Sequence, residues 1–125
     1  MILQLLAVAV GGAVGSVLRY LMSTGVHAVA GRGFPYGTLA VNIIGCLVMG
    51  ILFVLLVERL SGTTVWRAGL LIGLLGGFTT FSAFSIESFN LIEQGELMKA
   101  GLNVVASVLI CLAATWLGVT LGRQL

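Results

Sequence analysis

Residues Arg67 to Ile92 read RAGLLIGLLGGFTTFSAFSIESFNLI, and this stretch decides the architecture. It is long enough to cross a bilayer, whose hydrocarbon core of about 30 Å takes roughly 20 apolar residues in a helix. Its centre is nevertheless a poor helix. Gly76 and Gly77 cost backbone entropy, and the hydroxyls of Thr79 and Thr80 compete for backbone groups. A break from Gly76 to Thr80 frees carbonyls and amides. At membrane depth such backbone persists only when buried in protein or lining a cavity. Interrupted spans are where ion sites are built, because freed carbonyls bind cations. The segment is therefore predicted to be the functional centre. A continuous helix with a small-residue packing face accounts for the same spacing and stays open as the alternative. A phosphate-binding loop is excluded, since no Lys follows the glycines and the flanks are apolar.

Outward from this stretch, three more runs have span length: about residues 3–22, 38–57 and 99–121, beside 67–92 itself. Apolar residues make up 59% of the 125 and charged residues 8%, against roughly 25% charged in soluble chains. So few charges cannot cover a globule in water, but they can cover the ends of a bundle whose middle faces lipid. The fold class is all-α integral membrane, one domain of four transmembrane helices. The first run begins at once, has no basic segment before it and is span-length, so it is expected to be a retained helix rather than a signal peptide. A net charge of +2 is too weak for a nucleic-acid footprint. Cys46 and Cys111 lie inside apolar runs and read as small buried hydrophobes, and no Cys/His cluster suggests a metal.

Charge in the joining segments normally sets orientation. One side of the bundle carries Arg59, Arg67 and Arg123; the other carries Arg32 and Lys99, with Arg19 if it snorkels from the first span. This balance suggests copies inserted both ways and an antiparallel pair; a single orientation set by weaker signals is the other reading. Glycines four apart, Gly11 and Gly15, Gly69, Gly73 and Gly77, and Gly118 and Gly122, predict close helix–helix approach in lipid.

Polar side chains inside the spans are few. Phe81 and Phe84 share a helix face, with Ser82 and Ser85 on an adjacent one. Ring edges are electropositive and can face an anion, and hydroxyls add donors. Thr38 and Asn42 share a face of the second span; Asn103 and Ser107 repeat that spacing on the fourth, with Thr115 two turns on. Asn42 either bonds across helices or offers its NH₂ to a passing anion. No carboxylate lies deep in the first, second or fourth span, which argues against proton-coupled cation transport. Glu87, two turns past the break, is the exception, and a partner such as Arg19 would account for it.

Three features together, GGFTTFSAFS followed by Glu87, the segment GTLAVN from Gly37 to Asn42, and Arg19 in the first span, resemble the CrcB (Fluc) fluoride channels over essentially the whole chain. The resemblance implies an antiparallel, dual-topology homodimer with two pores in a bacterial inner membrane. It implies a third helix broken mid-membrane and a central structural sodium ion held by the backbone carbonyls of Gly76 and Thr79. It assigns Phe81, Phe84, Asn42, Ser82, Ser85, Thr38 and Ser107 to the fluoride path, and Arg19 and Glu87 to a vestibule. The chain departs from the pattern at Ala83, where some members have threonine, and at Asn103, aligned where some have tyrosine.

The expected function is passive, selective export of fluoride, without enzymatic activity. Fluoride is tightly hydrated, so a path through lipid must replace water with several donors at once. Binding must also stay weak enough for release. A small multidrug exporter is the runner-up and would need a carboxylate in residues 3–22, which hold none. A purely structural subunit would account for the glycines but not for the polar, interrupted centre.

Overall fold

A computed structural model of the chain describes residues 1–59 and 63–125; the middle of the second loop lies outside the described residues. It is all helix, with no strand among the described residues. The first helix is Ile2–Ala30. The second, Tyr36–Phe53, continues through wider π-helical turns at Val54–Arg59. The third begins as Thr64–Arg67, widens to π-helix over Ala68–Leu75, returns to a single α turn at Gly76–Phe78, and resumes as Phe81–Glu93. The fourth is Leu97–Gln124. All four are long and apolar enough to cross a membrane, and the shortest, Tyr36–Arg59, has 24 residues. At 1.5 Å per residue that is about 36 Å, more than the hydrocarbon core requires.

The helices run past the hydropathy-based limits. The first continues eight residues beyond Met22, through Ser23, Thr24 and His27, which lower the hydropathy without breaking the backbone. It stops at Gly31, whose φ of 84° no side-chain-bearing residue adopts easily. Gly95, at φ 79°, makes the turn into the fourth helix, and there the Glu96 N–H donates to the Leu91 carbonyl at 2.8 Å.

Neighbours are set by small residues. The first helix lies against the early part of the third, where a Cβ on Gly11 would stand 2.2 Å from the Gly69 carbonyl and one on Gly15 would stand 2.1 Å from that of Leu74. The second lies against the fourth, where a Cβ on Gly118 would meet the Leu47 carbonyl at 2.2 Å. Backbones this close gain dispersion contacts where no hydrophobic effect separates helix from lipid. The large apolar side chains mostly point outward instead. Leu5, Val10, Val17 and Leu21 on the first helix, and Leu102, Val105, Leu109 and Leu112 on the fourth, are exposed. An apolar surface this continuous belongs in lipid, not in water.

Two polar ties mark the two ends. At one, Lys99 Nζ donates to the Gly33 carbonyl at 3.2 Å, joining the first loop to the start of the fourth helix. At the other, the Arg123 guanidinium forms a two-pronged pair with the Glu58 carboxylate at 2.9 and 3.2 Å. The second and fourth helices, packed side by side, therefore run in the same direction, as do the first and third, where Gly11 meets Gly69 and Gly15 meets Leu74.

Candidate functional site

The helical pause in the third helix is shorter than the sequence suggests. Gly76, Gly77 and Phe78 stay helical, and only Thr79 and Thr80 leave, with ψ of 158° and 122°. Gly77 uses its lack of a side chain for packing, since a Cβ there would stand 2.8 Å from the Gly12 carbonyl, whereas a Cβ on Gly76 would meet nothing closer than the Leu71 carbonyl at 4.0 Å. The threonines make the exit. Thr79 folds its hydroxyl back onto the Leu75 carbonyl at 3.0 Å. Thr80 becomes the N-cap of the second half, its hydroxyl accepting from the Ala83 N–H at 3.2 Å.

Asn42 holds the pause from the second helix. Its Nδ2 donates to the Thr80 carbonyl at 3.0 Å, and its Oδ1 accepts from the Thr80 N–H at 2.9 Å. One side-chain amide thus satisfies both backbone groups of one extended residue. The approach needs Gly45, where a Cβ would stand 2.2 Å from Thr79 Cγ2. Two consequences follow from these bonds. The Thr80 N–H, which in an unbroken helix would close on the Gly76 carbonyl, is diverted to Asn42. The Ala83 N–H, which would close on the Thr79 carbonyl, is diverted to the Thr80 hydroxyl. Gly76 and Thr79 therefore present carbonyls whose helical donors have been taken elsewhere. A third carbonyl, that of Gly77, accepts from Arg19 Nε at 3.2 Å.

Beside the pause runs a groove of about 390 Å³, lined by Asn42 and Cys46 of the second helix, Thr79 to Phe81 and Phe84 of the third, and Ser107, Cys111 and Thr115 of the fourth. The Phe81 and Phe84 rings lie 5.3 Å apart at 48°. Phe84 is half-buried, whereas Phe81 is 79% exposed, so this chain leaves one side of the groove uncovered. Only one hydrogen of the Asn42 amide is used by Thr80, which leaves a second N–H on a groove-lining atom.

A second cavity, of about 360 Å³, opens toward the end that carries the first loop. Arg19, His27, Arg32, Thr38, Thr80 and Glu87 line it. Arg19 does not snorkel to the helix end, as its place in the charge count would require; it turns inward to Gly77. Nor is it the partner of Glu87. Among the described residues the one ion pair is Arg123–Glu58, and Glu87 Oε1 is buried with no hydrogen-bond partner.

The predicted residues therefore divide. Asn42, Phe81, Phe84, Thr79 and Ser107 meet at the groove, and Thr38, Arg19 and Glu87 meet at the second cavity. Gly76 and the exposed Ser82 and Ser85 line neither, and the Ser82 hydroxyl lies 3.3 Å from that of Thr80. Asn103 is 2% exposed and faces Ser88, donating to it at 2.8 Å while accepting from Ser107 at 3.4 Å. It orients Ser107 instead of reaching the groove. Cys46 and Cys111, which the sequence suggests are inert packing, line the groove; their four-residue spacing from Asn42 and Ser107 was the signal available for this.

Comparison with known proteins identifies the family. The profile of the family described as CrcB-like protein, Camphor Resistance (CrcB), matches residues 6–119. A protein of Coxiella burnetii (strain Dugway 5J108-111) named fluoride-specific ion channel FluC is 54% identical over 124 residues, covering 98% of this chain and all of the relative. Proteins of the same name from Geobacter sulfurreducens and Geobacter metallireducens are 54% and 49% identical, over 97% and 98% of this chain and 98% and 99% of theirs. With four membrane-capable helices and a match along nearly its whole length, the chain belongs to the CrcB family of multi-pass membrane proteins.

Proposed function

We propose that the protein is a fluoride channel that lets the ion leave the cell passively, and that it works as an antiparallel homodimer with the helical pause at mid-membrane. The observation that carries this reading is the Asn42–Thr80 clamp, which holds the third helix open beside the groove containing Phe81 and Phe84. The name of the Coxiella and Geobacter relatives, fluoride-specific ion channel, supplies the ion. The groove fits a small, strongly hydrated anion. It offers an amide N–H from Asn42, hydroxyls from Thr80 and Thr115, and aromatic edges from Phe81 and Phe84, while the Thr79 and Ser107 hydroxyls that also line it donate to Leu75 and Asn103. Neutral donors replace water without a fixed positive charge that would trap the ion. No carboxylate lines the groove, so nothing there supports a proton-coupled exporter.

The pair of copies is supported by the bare Phe81 ring and the open side of the groove, which a second chain would cover. Sodium is supported by the two carbonyls whose helical donors are diverted, Gly76 and Thr79. These oxygens suit a hard cation. When bound, such an ion supplies fixed positive charge near the groove and a link between copies. Within this chain, Asn42 keeps Thr80 extended, Thr79 turns its hydroxyl onto Leu75, and Arg19 holds the Gly77 carbonyl. Thr38, Arg19 and Glu87 form the vestibule from which the ion approaches, with Ser82 and Ser85 beyond the groove's described lining.

The test is fluoride efflux from liposomes containing purified protein, read with a fluoride electrode in the absence of a proton gradient. Rapid efflux, with chloride retained, is expected. Release of fluoride no faster than from empty liposomes would overturn the reading.

A further inference from the structure

Cys46 and Cys111 come from two facing helices, the second and the fourth, and line the same groove as free, half-buried thiols. Each continues a polar row, Cys46 one turn after Asn42 and Cys111 midway between Ser107 and Thr115. Two thiols on facing helices of one accessible groove have a chemistry that two buried hydrophobes lack.

The surroundings narrow the class of ligand. Among the described residues no three His, Cys, Asp or Glu side chains gather. Zinc, which takes four ligands in closed sites, is therefore poorly served. Soft cations with filled d shells, such as mercuric, silver and cuprous ions, prefer thiolate sulfur, and two sulfurs on opposite sides suffice for them. We propose that Cys46 and Cys111 form a two-thiolate site for a soft, thiophilic cation, and that filling it closes the groove to anions. Two metal–sulfur bonds form as two S–H bonds break. Both protons pass to water, and no electrons are transferred. The bound cation then sits between the Asn42 and Thr115 levels of the groove. The closure half of the proposal rests on the groove being the fluoride path; the binding half does not.

The experiment has two arms on the full chain. In the first, purified protein takes up mercuric chloride and is followed by intact mass and thiol titration. One mercury per chain, with two protons lost and both thiols consumed, is expected; two mercury atoms per chain, or two thiols still titratable, would overturn the site. Cys46→Ser and Cys111→Ser should each bind at least about 100-fold more weakly, because two-point attachment is lost. A single variant that binds as tightly as the unaltered chain would also overturn it. In the second arm, liposome fluoride efflux is measured with and without mercuric chloride, each variant against its own untreated rate. Block that dithiothreitol reverses, and that the double variant escapes, is expected. Full binding with unimpeded efflux would overturn the closure. Absence of efflux from untreated protein would instead strike the channel reading, leaving the mass result to stand or fall alone.

Discussion

Replacing Asn42 with aspartate changes one atom of the clamp and one unit of charge. The carboxylate still accepts from the Thr80 N–H, as Oδ1 does at 2.9 Å. The other position, where Nδ2 donates to the Thr80 carbonyl at 3.0 Å, becomes an oxygen facing an oxygen. Losing that bond and stranding a part-buried carbonyl costs about 1–3 kcal/mol. The larger effect is on the ion. An anion about 4 Å from the new charge meets about 4 kcal/mol of repulsion at an effective dielectric constant near 20, and each 1.36 kcal/mol is tenfold in rate, so efflux should fall by about a thousandfold. Electrode recordings of fluoride leaving liposomes measure this directly, with size-exclusion profiles to show that the variant is folded. Asn42→Ala separates the two effects, since it releases the clamp without adding charge. It should melt at a lower temperature and lose less flux than the aspartate variant. A folded Asn42→Asp protein passing fluoride at the unaltered rate would remove Asn42 from the path and refute the reasoning.

Phe84→Ile and Phe81→Ile keep apolar bulk but delete the ring edges that line the groove; both should slow efflux at least tenfold, about 1.4 kcal/mol, and unchanged rates in both would dismiss the aromatic role. Gly118→Leu would force a side chain into the Leu47 carbonyl 2.2 Å from its Cβ. Overpacking of this kind costs about 1–3 kcal/mol or more, so the variant should yield little folded protein, whereas Gly101→Ala, with nothing within 4 Å, should melt no lower than the parent; equal yields for both would refute the close second–fourth contact. Arg19→Met removes the donor to the Gly77 carbonyl and should lower stability by about 1 kcal/mol or more. An unshifted melting curve would show that this bond contributes nothing.

The helices were legible because hydropathy and length act on long windows. Their ends were not, since Ser23, Thr24 and His27 look like a loop by polarity yet are carried in helix by their neighbours. The glycine rows correctly announced close contact, but spacing alone could not say that Gly11 meets Gly69 while Gly118 meets Leu47. Gly76 and Gly77 look like the helix breakers by propensity, yet both stay helical, Gly77 packed against Gly12 of the first helix, and the pause falls at the threonines, where Asn42 takes both backbone groups of Thr80. Asn42 was visible as a costly amide in an apolar run. Its partner, 38 residues away, was not, because a chain's pattern carries no distances between helices. The same limit hid the Ser88–Asn103–Ser107 chain and the sharing of one groove by the two cysteines.

The bond pair between Asn42 and Thr80 makes the second helix a splint for the third. Donor and acceptor sit on one rigid amide, so sliding either helix by a turn would release both contacts together. Half-engaged states have little to hold them, and the gap in the third helix should open or heal as a unit. The geometry of that gap is thus written as much in a residue of another helix as in the threonines that form it.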